Sequence, residues 1–202
     1  MIVGKINPYE YSQLAIPKKS DFPKIETFKY RFRNKRQVFY IVDVERYQYN
    51  LYAIKFYLKK HSGSPFKFSH MTKHGDARRV IQTCLKIGIE ILDKNECASF
   101  CFIGAPLEKE FEEKEYDTSK RYRVYSRMAR FLLSPETFEH TDLPLKSAYF
   151  LINKREKAKN PNLLSEITDM FDKHYSMDSI FPDILRIRQE QLTRSCRSDK
   201  KV

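Results

Sequence analysis

Two short runs hold the residues best suited to chemistry. The first, Thr72-Lys73-His74-Gly75-Asp76-Ala77, stands at the head of an amphipathic segment. A glycine at a helix start lets main-chain N–H groups approach a phosphate, and the helix dipole favours the anion there. Lys73, Gly75, Asp76 and Ala77 are therefore the expected anion- or cofactor-binding residues, unless Asp76 simply caps the helix. The second run is Thr118-Ser119-Lys120-Arg121-Tyr122-Arg123-Val124-Tyr125-Ser126-Arg127. On a helical wheel Lys120, Arg123, Arg127 and Arg130 form one stripe, opposite Tyr122, Tyr125, Ala129, Leu132 and Leu133. Such a stripe can meet successive phosphates of a nucleic acid, or it is an ordinary solvated face. Arg121 projects beside the apolar face, so an ion pair or a ligand anion is expected to meet it, because unpaired burial of a charge is costly.

Other chemistries find less support. His70 and His74 have i,i+4 spacing, but Gly75 follows at once and no Glu lies between them. Cys97 and Cys101 share one face of a predicted strand, too far apart to pinch one ion, so no metal site is expected. Asp43 and Glu45 share a strand face and are expected to pair with the surrounding Lys and Arg. Gly63-Ser64-Pro65 lacks the following glycine of a nucleophile elbow.

The elements that must position these residues follow from periodicity. Residues 1–26, punctuated by Pro8, Pro17 and Pro23, read as an irregular arm. Phe28, Tyr30 and Phe32 alternate with Lys29, Arg31 and Arg33, a half-buried strand with a basic outer face. Asn34-Lys35-Arg36 is the turn, and Val38–Val44 and Leu51–Leu58 complete an antiparallel meander. After Gly75-Asp76, the positions Val80, Ile81, Cys84, Leu85, Gly88 and Ile91 fall on one helical face, with Arg78, Arg79, Gln82, Lys86 and Glu90 on the other. Gly88 inside the apolar face predicts a close helix–sheet approach. A short strand over Ala98–Ile103, an acidic loop to Asp117 and a helix from Thr118 or Ser119 to Leu133 come next. Phe138–Asn153 reads as a hairpin turning near Pro144, and helices are expected over Asn162–His174 and Ser179–Thr193. The order β-β-β-α-β-α-β-β, then helices, is that of a mixed α/β fold.

This order resembles that of the GNAT acyltransferases, and the run at 72–77 resembles their loop, Arg/Gln-x-x-Gly-x-Gly/Ala. Gly75 and Ala77 match, whereas Thr72 stands where the family has Arg or Gln. The resemblance implies a GNAT-like mixed sheet over 27–154, flanked by the arm and by a helical C-terminal extension, 155–202, with a basic tail. It implies the pyrophosphate of an acyl-coenzyme A such as acetyl-CoA at Gly75–Ala77. It also implies a general-acid Tyr on the second helix, for which Tyr125 is nearest in position, although Tyr125 is equally placed to be core. More closely, GDARRVIQTCLKI paired with FIGAP…TSKRYRVYSRM resembles a family of uncharacterised bacterial domains over about residues 28–153, which carries an expectation of fold.

Composition narrows the partners. The 202 residues carry a net charge of +12, and that charge is segregated. Residues 28–62 hold nine Lys/Arg against Asp43 and Glu45, and residues 118–134 hold five and no acid. Residues 96–117 hold seven acids against Lys109 and Lys114. Distinct patches of this kind suit an acidic partner, either nucleic acid or an acidic protein. Cys84, Cys97, Cys101 and Cys196 are too irregular for a disulfide framework, which fits a reducing compartment. No apolar run is long enough for a signal or a membrane helix, so a cytoplasmic location away from membranes is expected. Two functions remain open. One is a basic binding protein on a degenerate acyltransferase-like scaffold, docking nucleic acid or an acidic protein and needing no cofactor. The alternative is an acyl-CoA-dependent N-acyltransferase acting on an acidic or RNA-bound amine. Thr72 and the want of a clear general base tilt the sequence reading to binding.

Overall fold

The alternation over Phe28–Arg33 lies inside a longer strand that organises one edge of the sheet. The computed structural model describes residues 5–14, 18–20, 22–64, 67–68, 70, 75–103, 119–143 and 148–174. Its strands are β1 (Tyr11–Gln13), β2 (Lys18–Lys19), β3 (Lys24–Arg33), β4 (Phe39–Tyr47), β5 (Leu51–Leu58), β6 (Ser99–Ile103), β7 (Phe138–Leu143) and β8 (Ala148–Asn153). Its helices are α1 (Ala77–Lys94), α2 (Lys120–Leu132), α3 (Lys154–Lys159) and α4 (Leu163–His174). One open sheet runs β1-β3-β4-β5-β6-β8-β7, with β2 also on β3. Every pairing is antiparallel except β5 with β6. The protein is thus an α/β fold with a mixed, mostly antiparallel sheet.

Alternation assigns the two faces. Tyr40, Val42 and Val44 of β4 join Phe32, Ile54, Phe100 and Leu151 in a core closed by Val80, Ile81, Cys84 and Leu85 of α1 and by Ala129 and Leu132 of α2. The opposite face carries Tyr47, Leu51, Cys101, Phe150 and Ile152 under Leu163, Ile167, Met170 and Phe171 of α4. A Cβ on Gly88 would stand 3.3 Å from Ile54 Cδ1 and 3.5 Å from Phe100 Cε1, so the glycine does mark a close approach. Among the described residues, no helix is long and apolar enough to cross a membrane.

Two local readings need correction. The arm is not wholly irregular, because β1 and β2 pair with β3, which itself starts at Lys24. Helix α3 forms directly after β8, capped by the Asn153 side chain, which accepts from Arg155 N. The segments read as the 104–118 loop, the turn near Pro144 and the helix over 179–193 lie outside the described residues.

Asp43 and Glu45 pair with lysines as expected. Lys29 Nζ is 2.7 Å from Asp43, with Lys67 at 3.9 Å. Glu45 takes Lys55 at 2.6 Å and Lys24 at 3.6 Å, and accepts from the Tyr47 hydroxyl at 2.7 Å. Burial alone would push the Glu45 carboxyl up, but the Lys55 ammonium, the Tyr47 hydroxyl and Lys24 hold it below the usual carboxylate range. A carboxyl depressed by folding contributes stability that is present above its unfolded pKa, near ~4.3. That stability is lost as pH falls through the folded pKa. Glu45→Gln is therefore expected to melt lower than the parent at pH 7, with the gap closing below about pH 4. Melting curves across that range test it, and a pH-independent gap would assign Glu45 a packing role only.

Candidate functional site

The single parallel pairing has an unusual extent. The β5–β6 ladder contains Leu51↔Ser99, Tyr52↔Phe100 and Ala53↔Cys101 and then stops. Past that point β5 continues over Ile54–Leu58 and β6 over Phe102–Ile103 with no pairing between them among the described residues. The strands part into a fork, and an aromatic ring from α2 packs on side chains of both. The Tyr125 ring centroid is 5.9 Å from Phe56 of β5 and 6.5 Å from Phe102 of β6. Its hydroxyl has no hydrogen-bond partner among the described residues. Burial pushes the phenol above its ordinary value, the nearby Arg121 guanidinium pulls it down, and the Cys84 thiol adds an upward push.

The start of α1 is built differently from a capped helix. Gly75 has φ +72 and open space around its Cα, so its left-handed backbone, not crowding, is what requires glycine. Asp76 occupies the cap position without bonding the helix N–H groups. Its carboxylate accepts instead from Asn34 Nδ2 at 2.8 Å and from the Tyr9 hydroxyl at 3.3 Å. The capping role expected of Asp76 is thus replaced by a strut to the β3–β4 turn and the arm. The N–H groups of Ala77 and Arg78 have no acceptor among the described residues, whereas those of Arg79 and Val80 bond Asp76 O. Thr72 and Lys73 lie outside the described residues.

Ser119 caps α2 by accepting from Tyr122 N at 3.1 Å. The expected basic stripe divides along the helix. Arg123 and Arg127 are exposed, and the Lys120 side chain lies outside the described part. Arg130 is committed elsewhere: it forms an ion pair with Asp142 and donates from Nε to the Tyr149 hydroxyl at 3.2 Å. Asp142 also accepts from the Tyr122 hydroxyl at 2.5 Å. The Tyr149 hydroxyl, which accepts from Arg130, also lies 2.7 Å from His140 Nδ1. Burial, then Arg130, holds His140 below its ordinary pKa. Arg121, expected to meet an anion, donates to the main-chain oxygen of His70 at 2.5 Å.

Tyr125 and Arg121 are therefore brought together at the fork, with Gly75–Ala77 at the head of the helix that covers it. The network through Tyr122, Asp142, Arg130, Tyr149 and His140 was not visible in the sequence, because its members come from three elements and no spacing connects them. Gln82, read as outward-facing, is only 4% exposed. No protein-family model, curated protein or solved structure matches the chain.

The division of the stripe predicts unequal effects of like substitutions. Arg130→Gln is expected to cost roughly 1 kcal/mol of stability, since it unpairs Asp142 at a partly exposed site. Arg127→Gln should stay within about 0.5 kcal/mol of the parent. Equal losses in denaturant titrations would mean that the Arg130 network holds nothing together.

Proposed function

We propose that the chain is an acyl-CoA-dependent N-acyltransferase on a GNAT-like sheet. The observation that carries this reading is the β5–β6 fork with Tyr125 packed on side chains of both strands. The reading is further supported by α1 crossing between these two parallel strands and by the closing hairpin, which returns β8 beside β6. Main-chain groups of Ile54–Leu58 and Phe102–Ile103 that face into the fork have no strand partner there among the described residues. An extended acyl-pantetheine arm supplies amides that can bond to them. Its phosphate end then reaches toward Gly75–Ala77, where N–H groups without an acceptor among the described residues and the helix dipole favour an anion.

Each fork residue then has a role in the chemistry. An amine nitrogen attacks the thioester carbonyl, the C–S bond breaks, and Tyr125 delivers its proton to the departing sulfur. The surplus proton on the nitrogen leaves to solvent water, which re-protonates the phenolate. A phenol raised by burial stays protonated at neutral pH, as a general acid must. Arg121 stabilises the phenolate left behind. Calorimetric titration of the full chain with acetyl-CoA is expected to show binding. Gly75→Val should weaken it at least tenfold, since a β-branched residue resists φ +72 and crowds the approach. Tyr125→Phe should bind like the parent and transfer roughly 10²-fold more slowly. Failure of the unmutated chain to bind millimolar acetyl-CoA would remove the reading.

A second reading draws on the exposure of Arg123 and Arg127, about one turn apart on α2. In it the scaffold is not catalytic and these cations dock on nucleic-acid phosphates. Replacing both with Gln is expected to flatten the log–log salt dependence of RNA binding by up to about two. An unchanged slope rules this surface out.

A further inference from the structure

Beyond the fork, on the flank of α1 that faces the arm, lies a cavity of about 970 Å³. The flank is defined by contacts: Arg79 donates to Pro8 O, Gln82 accepts from Asn7 N and Thr83 accepts from Tyr9 N. Gly88, by contrast, faces Ile54 and Phe100 under the sheet. Five cations line the cavity: Lys5 from the arm, Lys35 and Arg36 from the β3–β4 turn, and Arg78 and Arg79 from α1. The one carboxylate among the described lining residues, Asp76, accepts from Asn34 and Tyr9 through one oxygen, and its other oxygen is buried without a hydrogen-bond partner among the described residues.

A polar donor completes the wall. Gln82 is 4% exposed and lines the cavity. Its Oε1 accepts from Asn7 N at 3.2 Å, and its Nε2 has no acceptor among the described residues. A nearly buried amide donor without an acceptor, set among cations in a concave wall, is organised for oxyanion oxygens. Among the described residues the cavity offers no aromatic platform for a nucleobase, because the 6%-exposed Tyr9 ring is already stacked on Phe32 at 5.6 Å and covered by Arg79 at 4.1 Å. Single-stranded nucleic acids need such aromatic faces. The volume falls in the range of small-molecule sites. The cations come from the arm, the turn and the helix, so a ligand with several phosphates can engage all three elements.

We propose that this cavity, whose wall includes Gly75 and Asp76 at the start of α1, binds the polyphosphate chain of a small molecule. Free inorganic polyphosphate and a nucleoside triphosphate share that chemistry. The test is calorimetry on the full chain with inorganic tripolyphosphate and with ATP at low salt. Both are expected to bind, and more weakly as salt rises. Equal affinities would identify the phosphate chain as the recognised part, and tighter ATP binding would identify a nucleotide. Arg36 and Arg78 have exposed side chains, so the double variant Arg36→Gln/Arg78→Gln should fold normally and bind tripolyphosphate at least tenfold more weakly. A charge-matched control on β2, Lys18→Gln/Lys19→Gln, should bind like the parent. Gly75 and Asp76 line this cavity as well, so acetyl-CoA is titrated into the same variant to separate the two sites. No binding of either probe at millimolar concentration, or an equal loss in the β2 control, would overturn the proposal. Joint loss of tripolyphosphate and acetyl-CoA binding would overturn it as well, by making the cavity the phosphate end of the acyl-CoA site. Failure of the acyltransferase reading is recognised separately, by the unmutated chain ignoring acetyl-CoA while still binding tripolyphosphate.

Discussion

Helix α1 must rest on β5 and β6 at once, and much of the architecture depends on that contact. Two parallel strands cannot be joined by a hairpin, so a crossover element has to cover them. Gly88 lets α1 sit down on the seam, within contact of Ile54 on one strand and Phe100 on the other. A side chain there would meet Ile54 at 3.3 Å and force the helix or the strand to move. The seam below is only three residue pairs long. The same helix thus closes the short ladder and lies over the place where the strands part. Its depth also decides whether Asp76, at its head, can reach Asn34 and Tyr9.

The opposite face shows how a strongly basic chain commits part of its charge internally. Asp43 and Glu45 each draw two lysines: Lys29 with Lys67, and Lys55 with Lys24. Two of those lysines also lie over rings, Lys67 over Tyr57 and Phe68, and Lys55 over Phe68. These cations contribute to the net charge of +12 but are poorly placed to meet a partner. Lys35, Arg36 and Arg78 have no carboxylate partner among the described residues. Cations not committed to a carboxylate therefore also gather where the β3–β4 turn meets the start of α1.

Elements whose pattern is local were legible in the sequence. The 3.6-residue spacing of Val80, Ile81, Cys84, Leu85 and Ile91 and the alternation over Phe28–Arg33 each reflect one face buried against one partner. The edge strands β1 and β2 were not legible, because runs of three and two residues carry no period and exist only through pairing with β3. Asp76 had the spacing of a cap, yet its partners stand 42 and 67 residues away in sequence. The fork was hidden for a similar reason. Leu51–Leu58 reads as one continuous strand, and nothing in it says that the pairing with β6 ends at Ala53. Residue types at the site were visible one by one, but their juxtaposition depended on register and long-range pairing.

The position of Tyr125 follows from what its own helix does elsewhere. Tyr122 and Arg130 both reach Asp142 on β7, from points about two turns apart along α2. Two contacts to one carboxylate fix the rotation of the helix about its axis as well as its distance from the hairpin. With that rotation set, Tyr125 has to face Phe56 and Phe102. Arg121, one turn earlier on the same side, falls near enough to pull the phenol pKa down against burial. The two influences on Tyr125 thus have separate origins. Packing in the fork keeps the proton on, and a guanidinium tied to His70 O tempers the cost of letting it go. A helix anchored only by its apolar stripe could roll and lose both. The polar network at the β7–β8 edge is what makes the orientation of the phenol specific rather than merely buried.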